Sequence, residues 1–311
     1  MPLVSVLVVL GALETAALPP PTGPFAVGRV TVEWTDRSRP EPLDANHGYR
    51  TLAVDVWYPA QSSARAPLLI FSPGGGMGRE AYAAQLSDLA SHGFVVAALT
   101  HPFDNERRWP KIPSVEGEWN LNQLDWHTRD IRFVLDKLSE PNGGRPFAGH
   151  IDLRRVGALG HSFGGVAAAQ ACQTDARFTA CLNEDGMAAW RPFNVNSGVW
   201  RPNQRFMMIY RAVPPGPPPP EFAELLKVLM HEHEVAMQTV VGGSYEAALD
   251  SSRTTHGDFS DSGPTPVMAT IRSLTLAFFE QTLRGKRSPL LDAPHDTLIQ
   301  SIRRFGPALH P

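Results

Sequence analysis

The chain has 311 residues, a net charge of −3, 42% hydrophobic and 19% charged residues, and two cysteines. A chain of this length buries a large core without needing a metal or disulfide staple. The balanced charge gives no footprint of the clustered basic surface that nucleic-acid binding requires, so no nucleic-acid partner is expected.

The start, MPLVSVLVVLGALETAALPPPTGP, carries an apolar run from Pro2 to Leu13, then small residues, then prolines. That run suits a signal-peptide core and is too short to span a bilayer, although no Lys or Arg precedes it. Residues 1–24 are read as a signal peptide or a disordered segment, and residues 25–311 as a single α/β domain. Export and the absence of an integral membrane span are the matching expectations.

From Gly28, GRVTVEWTD and YRTLAVDVWYP alternate apolar with polar residues and predict two antiparallel strands. PLLIFS (67–72) is a continuous apolar run, as in a buried parallel strand, and ends in PGGGMG. REAYAAQLSDLASHG predicts a helix stopped at Gly93, and FVVAALT (94–100) the next buried strand. Residues 101–121 read as a long loop, with Phe103, Trp109 and Trp119 as candidate pocket residues. Leu124, Ile131, Val134, Leu135 and Leu138 recur at helical spacing and predict a helix over 122–140. RRVGALG (154–160) follows as a strand, VAAAQAC as a helix, and RFTACLNED (177–185) and RFMMIYR (205–211) as strands. A helix is expected after the proline run PPGPPPP, SYEAALDS (244–251) as the last strand, and TPVMATIRSLTLAFFEQTLRG as the closing helix. Cys172 and Cys181 are placed either to bridge a helix to the following strand or to remain two buried thiols.

Strands alternating with helices imply a mostly parallel central sheet with helices on both faces. Functional residues in such a sheet collect just beyond the carboxyl ends of the strands. Ser162, in GHSFGG, occupies such a point, where a strand hands over to a helix among glycines. A serine needs a base to take its proton, and a histidine base needs a carboxylate to fix its tautomer. In this type of sheet the expected chain order is serine, acid, histidine.

Glu184 and Asp185 end the next strand, and Asp185 is preferred with Glu184 as the alternative. RFMMIYR ends in Arg211 and offers no carboxylate. Among the histidines that follow, His231 and His233 lie two residues apart in a predicted helix, without metal-ligand spacing. His295 and His310 come after the closing helix, whereas His256 sits between the last strand and that helix and is the expected base. Negative charge developing on a carbonyl oxygen needs backbone N–H donors. Phe163, just after the serine, supplies one, and Gly75 the other, with Gly76 as alternative. PGGG lacks the GK[ST] continuation of a phosphate loop, and no metal or cofactor is expected.

WYPA (57–60), LLIFSPGGG, LASHGFVVAALTH (89–101), GHSFGG, the stretch from DARF to NEDG, and THGDFSD together resemble the platelet-activating-factor acetylhydrolase and dienelactone-hydrolase-related branch of the α/β-hydrolase superfamily. Cutinase-like polyester hydrolases are neighbours that share the SPGxx and LASHGF motifs. The resemblance implies the α/β-hydrolase fold and a serine ester hydrolase working through an acyl-enzyme, on short-acyl or lipid-like esters, without cofactor. Amide or polyester hydrolysis by the same residues is the alternative, and a non-catalytic binding protein on this fold the remote one. The family nucleophile falls on Ser162, the acid on Asp185, the histidine on His256, and the oxyanion donors on Gly75 and Phe163. In the polyester hydrolases the acid follows a later strand, where this chain has Arg211. The chain departs from the family where Pro73 replaces a histidine common there, and in its inserted PPGPPPP.

Overall fold

A computed structural model describes residues 18–102, 118–140, 150–186, 201–213 and 242–305, a few single positions excepted, and isolated positions between 213 and 242. Side chains are described in residues 118–140 only from position 123 onward. The two alternating segments at the start form β1 (Val27–Pro40) and β2 (Tyr49–Pro59), paired antiparallel. The apolar runs that follow become β3 (Ala66–Ser72), β4 (Val95–Thr100), β5 (Ile151–His161), β6 (Phe178–Glu184), β7 (Arg205–Arg211) and β8 (Ser244–Leu249). β4, β3, β5, β6, β7 and β8 are parallel neighbours in that order, flanked by antiparallel β2 on one side and β9 (Ile299–Phe305) on the other.

Every residue of β3 is buried, and the strand period of two divides them between two cores. Leu68 and Ile70 face the core that includes α2 (Glu118–Ser139) and α3 (Phe163–Thr174). Leu69 and Phe71 face the other, with α1 (Ala83–Ser91) and α4 (Thr265–Arg284). Helices on both faces leave the carboxyl ends of the parallel strands along one rim, where the site lies.

Three expectations need correction. α2 begins at Glu118, four residues before the predicted start, so Trp119 belongs to a helix and not to the preceding loop. Trp119 and Leu121 stand in that first turn directly after a Pro- and Gly-containing stretch, whose irregularity hides the start of the helical spacing. β8 is not the last strand: β9 pairs antiparallel with it at the sheet edge. Only Ile299 of β9 is buried, and an edge strand with so little apolar alternation carries a weak signal. Finally, the short α5 (Pro289–Asp292) lies between α4 and β9. The expected leader falls mostly outside the described residues.

Cys172 in α3 and Cys181 in β6 are joined in a disulfide, with Cα atoms 6.4 Å apart, which decides the alternative left open by the sequence. The bridge ties the helix that follows Ser162 to the strand that leads to Asp185. Closing so short a loop stabilises a fold by about 2–3 kcal/mol. The double variant C172A/C181A is therefore expected to unfold at lower denaturant, with a slope equal to or slightly steeper than wild type because its unfolded chain is less constrained, a shift that urea titration would read directly.

Candidate active site

β5 ends at His161 and α3 begins at Phe163, so Ser162 alone makes the turn, with φ 52° and ψ −125°. A side-chain-bearing residue is strained at that φ and stays there only where its surroundings over-determine it. The Ser162 N–H donates to the Glu184 carbonyl at 2.8 Å, and the Ser162 carbonyl accepts the N–H groups of Gly165 and Val166 at 3.0 and 3.2 Å. β3 closes on the turn from the other side. A Cβ on Gly160 or Gly164 would run into the Ser72 carbonyl, and one on Gly164 into the Pro73 carbonyl as well. The glycines flanking the serine thus permit a backbone approach that no other residue allows.

His256 opens a 3₁₀ turn, His256–Phe259, whose start is fixed by a capping box between Thr255 and Asp258. Its Nε2 lies 3.0 Å from Ser162 Oγ and its Nδ1 2.7 Å from Asp185 Oδ2. Because the carboxylate only accepts, Nδ1–H donates to it, and Nε2 is left to accept the serine hydroxyl proton. Asp185 also has a positive φ, 49°, immediately after β6. Its N–H donates to the Ile209 carbonyl at 2.7 Å. Arg211 clamps its side chain: the backbone N–H donates to Oδ1 at 3.1 Å and Nε to Oδ2 at 2.7 Å. Burial opposes the charge on Asp185, but the bonds from His256 and Arg211 outweigh it and hold the carboxyl below its ordinary range.

Glu184, the alternative acid, faces away from His256. It is fully buried and accepts hydrogen bonds from Gln85 of α1 and, at 3.0 Å, from Thr275 of α4. Burial pushes its carboxyl up to about 7 against those two bonds. Only its main chain reaches the serine.

Two further groups touch the site that sequence spacing did not single out. The ring of His161 lies 4.6 Å from that of His256 and stacks parallel on Phe259 at 5.6 Å. Its Nδ1 is 2.8 Å from the hydroxyl of Tyr82, which accepts the Gly74 N–H at 3.0 Å. Burial, then the neighbouring His256, pull His161 down to about 3, so it is neutral at ordinary pH. The Gly74 N–H of the PGGG loop is directed to Tyr82, and the expected donor Gly75 and its alternative Gly76, with φ 78°, follow it. Phe103 and Trp109 fall outside the described residues, as does the side chain of Trp119. Among the described residues, no group of three or more His, Cys, Asp or Glu is arranged to hold a metal ion.

The two adjacent carboxyls lead to opposite expectations. D185N removes the carboxylate that sets the His256 tautomer and should lower turnover at Ser162 on the order of 10⁴-fold. E184Q keeps an acceptor for Gln85 and Thr275 and should stay active. Glu184 sits above its ordinary 4.5 in the fold, so the stability tied to its proton is complete below about 4.5 and is lost as pH rises toward 7. E184Q should flatten that stretch of a melting-temperature-versus-pH curve; an unchanged slope there would contradict the assignment.

Residues 69–305 match the family model described as "Alpha/beta hydrolase family". The chain is 26% identical over 239 residues to a probable 1-alkyl-2-acetylglycerophosphocholine esterase of Arthroderma benhamiae, covering 54% of this chain and 58% of that protein. It is 30% identical over 151 residues to a platelet-activating factor acetylhydrolase of Cavia porcellus, covering 39% of this chain and 35% of the relative. The chain thus spans less than two thirds of the length of these curated relatives. A ferulic acid esterase from Streptomyces cinnamoneus superposes with a TM-score of 0.72 over 91% of this chain and 99% of its own, at 22% identity, a likeness of fold.

Proposed function

We propose that this chain, which belongs to the alpha/beta hydrolase family, is a serine hydrolase of carboxylic esters that works through an acyl-enzyme. The observation that carries the reading is the unbroken hydrogen-bonded line from Ser162 Oγ through His256 to Asp185, at 3.0 and 2.7 Å. Ser162 Oγ attacks the ester carbonyl carbon while His256 Nε2 takes its proton. The imidazolium so formed is stabilised by Asp185. The carbonyl oxygen, now negative, is met by the Gly75 and Phe163 N–H groups. Collapse expels the alcohol, protonated by His256, and leaves an acyl-serine. Water, deprotonated by the same histidine, then releases the acid.

The names of the two curated relatives, a probable 1-alkyl-2-acetylglycerophosphocholine esterase and a platelet-activating factor acetylhydrolase, support a short-acyl or lipid-like ester as substrate. Amide hydrolysis by the same residues is separated from this by comparing an ester with its matched amide. The apolar run near the start and the Cys172–Cys181 bridge support export to an oxidising compartment. None of the described helices is long and apolar enough to cross a membrane.

The test is turnover of p-nitrophenyl esters of graded acyl length. Wild type should hydrolyse the acetyl ester, and S162A should lose on the order of 10⁶ in kcat. A serine variant retaining most of the activity would sink the mechanism.

A further inference from the structure

A second serine–histidine–aspartate line runs through the protein beside the first. Ser72 Oγ lies 2.8 Å from His101 Nε2, and His101 Nδ1 lies 2.8 Å from Asp130 Oδ2. The separations match those at Ser162 within a few tenths of an ångström, but access differs completely. Ser72 and Asp130 are 0% exposed and His101 is 1% exposed, so no substrate can reach the serine. The line is anchored at its far end. Arg50 donates to both oxygens of Asp130, at 2.7 and 2.6 Å, and to Glu41 at 2.7 Å; Arg39 Nη1 is 2.9 Å from Asp130.

What the line reaches is the machinery of the proposed reaction. Ser72 is the last residue of β3, paired in register with Gly160, and its carbonyl is the atom against which Gly160 and Gly164 close. Pro73 and the PGGG donors follow it directly. The other proposed donor is reached through a neighbouring ring. His127 of α2 stacks on His101 at 3.5 Å and 2°, and meets the Phe163 ring edge-on at 5.0 Å and 78°. The two donors, far apart in sequence, therefore rest on one pair of histidines.

We propose that Ser72, His101 and Asp130, with His127, form a buried positioning device that sets the two halves of the oxyanion site relative to Ser162. The inference rests on the ester-hydrolase reading. Asp130 fixes the His101 tautomer with Nδ1 protonated, so Nε2 accepts the Ser72 hydroxyl proton and pins the end of β3. Burial, then the stacked His127, keep His101 neutral, pulling it down to about 4, and it therefore holds this pattern at ordinary pH. These residues act through the backbone they hold, not on the substrate.

The test uses S72A, H101N and H101Q, with folding checked by thermal melt and active sites counted with a fluorophosphonate. Losing an oxyanion donor costs about 10²–10³ in rate, and displacing one costs less. S72A and H101N, which both lose the bond between Ser72 and residue 101, should each lower kcat per titrated site about tenfold with KM within about twofold. Phenylboronic acid, which forms a tetrahedral adduct on the serine, should weaken by the same factor. H101Q places its amide nearer the Nε2 position and should recover part of the loss. If S72A and H101N keep wild-type kcat per titrated site, or change only KM or the number of folded sites, the inference is overturned while the triad reading survives. Undiminished activity in S162A would instead remove the triad reading and this inference with it.

Discussion

The close contact between the end of β3 and the nucleophile turn is the constraint on which the rest of the site depends. The Ser72 and Pro73 carbonyls sit where a Cβ on Gly164 would be, so strand and helix are drawn together at the one point where the chain adopts φ 52°. Strain of this kind persists only if neighbouring elements hold it on several sides. Here the Glu184 carbonyl takes the Ser162 N–H from β6, the Ser162 carbonyl starts α3, and β3 blocks relaxation from the third side. The same contact sets how far the PGGG loop stands from the serine. The proposed nucleophile and donors are thereby fixed as one unit.

Two hydrogen-bonded lines of the same composition in one molecule separate geometry from function. Bond lengths alone do not distinguish Ser72–His101–Asp130 from Ser162–His256–Asp185. Burial does: the His256 side chain is 47% exposed, whereas the Ser72 line is closed and charge-compensated by arginines. A closed line of this kind stabilises position, because each buried polar atom that it satisfies would otherwise cost about 1–3 kcal/mol. The open line can exchange a proton with a bound ester. The backbone of β3 and the nucleophile turn connects the two.

The sheet was legible in the sequence because buried parallel strands read as continuous apolar runs, as PLLIFS and FVVAALT do. The grouping of Ser162, Asp185 and His256 was legible because parallel strands put their ends on one rim, so chain order becomes spatial order. β9 escaped because an edge strand needs little apolar alternation, and the start of α2 because it directly follows an irregular Pro- and Gly-containing stretch. His161, Tyr82, Ser72 and Asp130 escaped for another reason: their pairing depends on contacts between elements distant in the chain. Ser72 and His101 did carry a usable signal, since both stand at carboxyl ends of neighbouring strands, where Ser162 was found. Asp130, one polar residue inside a predicted helix, carried none.

Arg211 gives a reason why the proposed acid follows β6 and not β7. Neighbouring strands are about 4.8 Å apart, so an acid one strand further out must reach across that gap to the same histidine. In this chain the end of β7 supplies a cation and a backbone N–H that grip Asp185 from the far side. That grip compensates for burial and leaves the Asp185 carboxylate ionised, as the proposed reaction requires when His256 takes a proton. The ring nearest to the base adds no competing charge: His161 is held neutral beside the His256 ring, while the Glu184 carboxyl turns to Gln85 and Thr275. A charged His161 would oppose the imidazolium at a ring separation of 4.6 Å. Its burial against Tyr82 and Phe259 is therefore electrostatic in consequence as well as steric: it keeps the attraction of Asp185 for the protonated base uncontested.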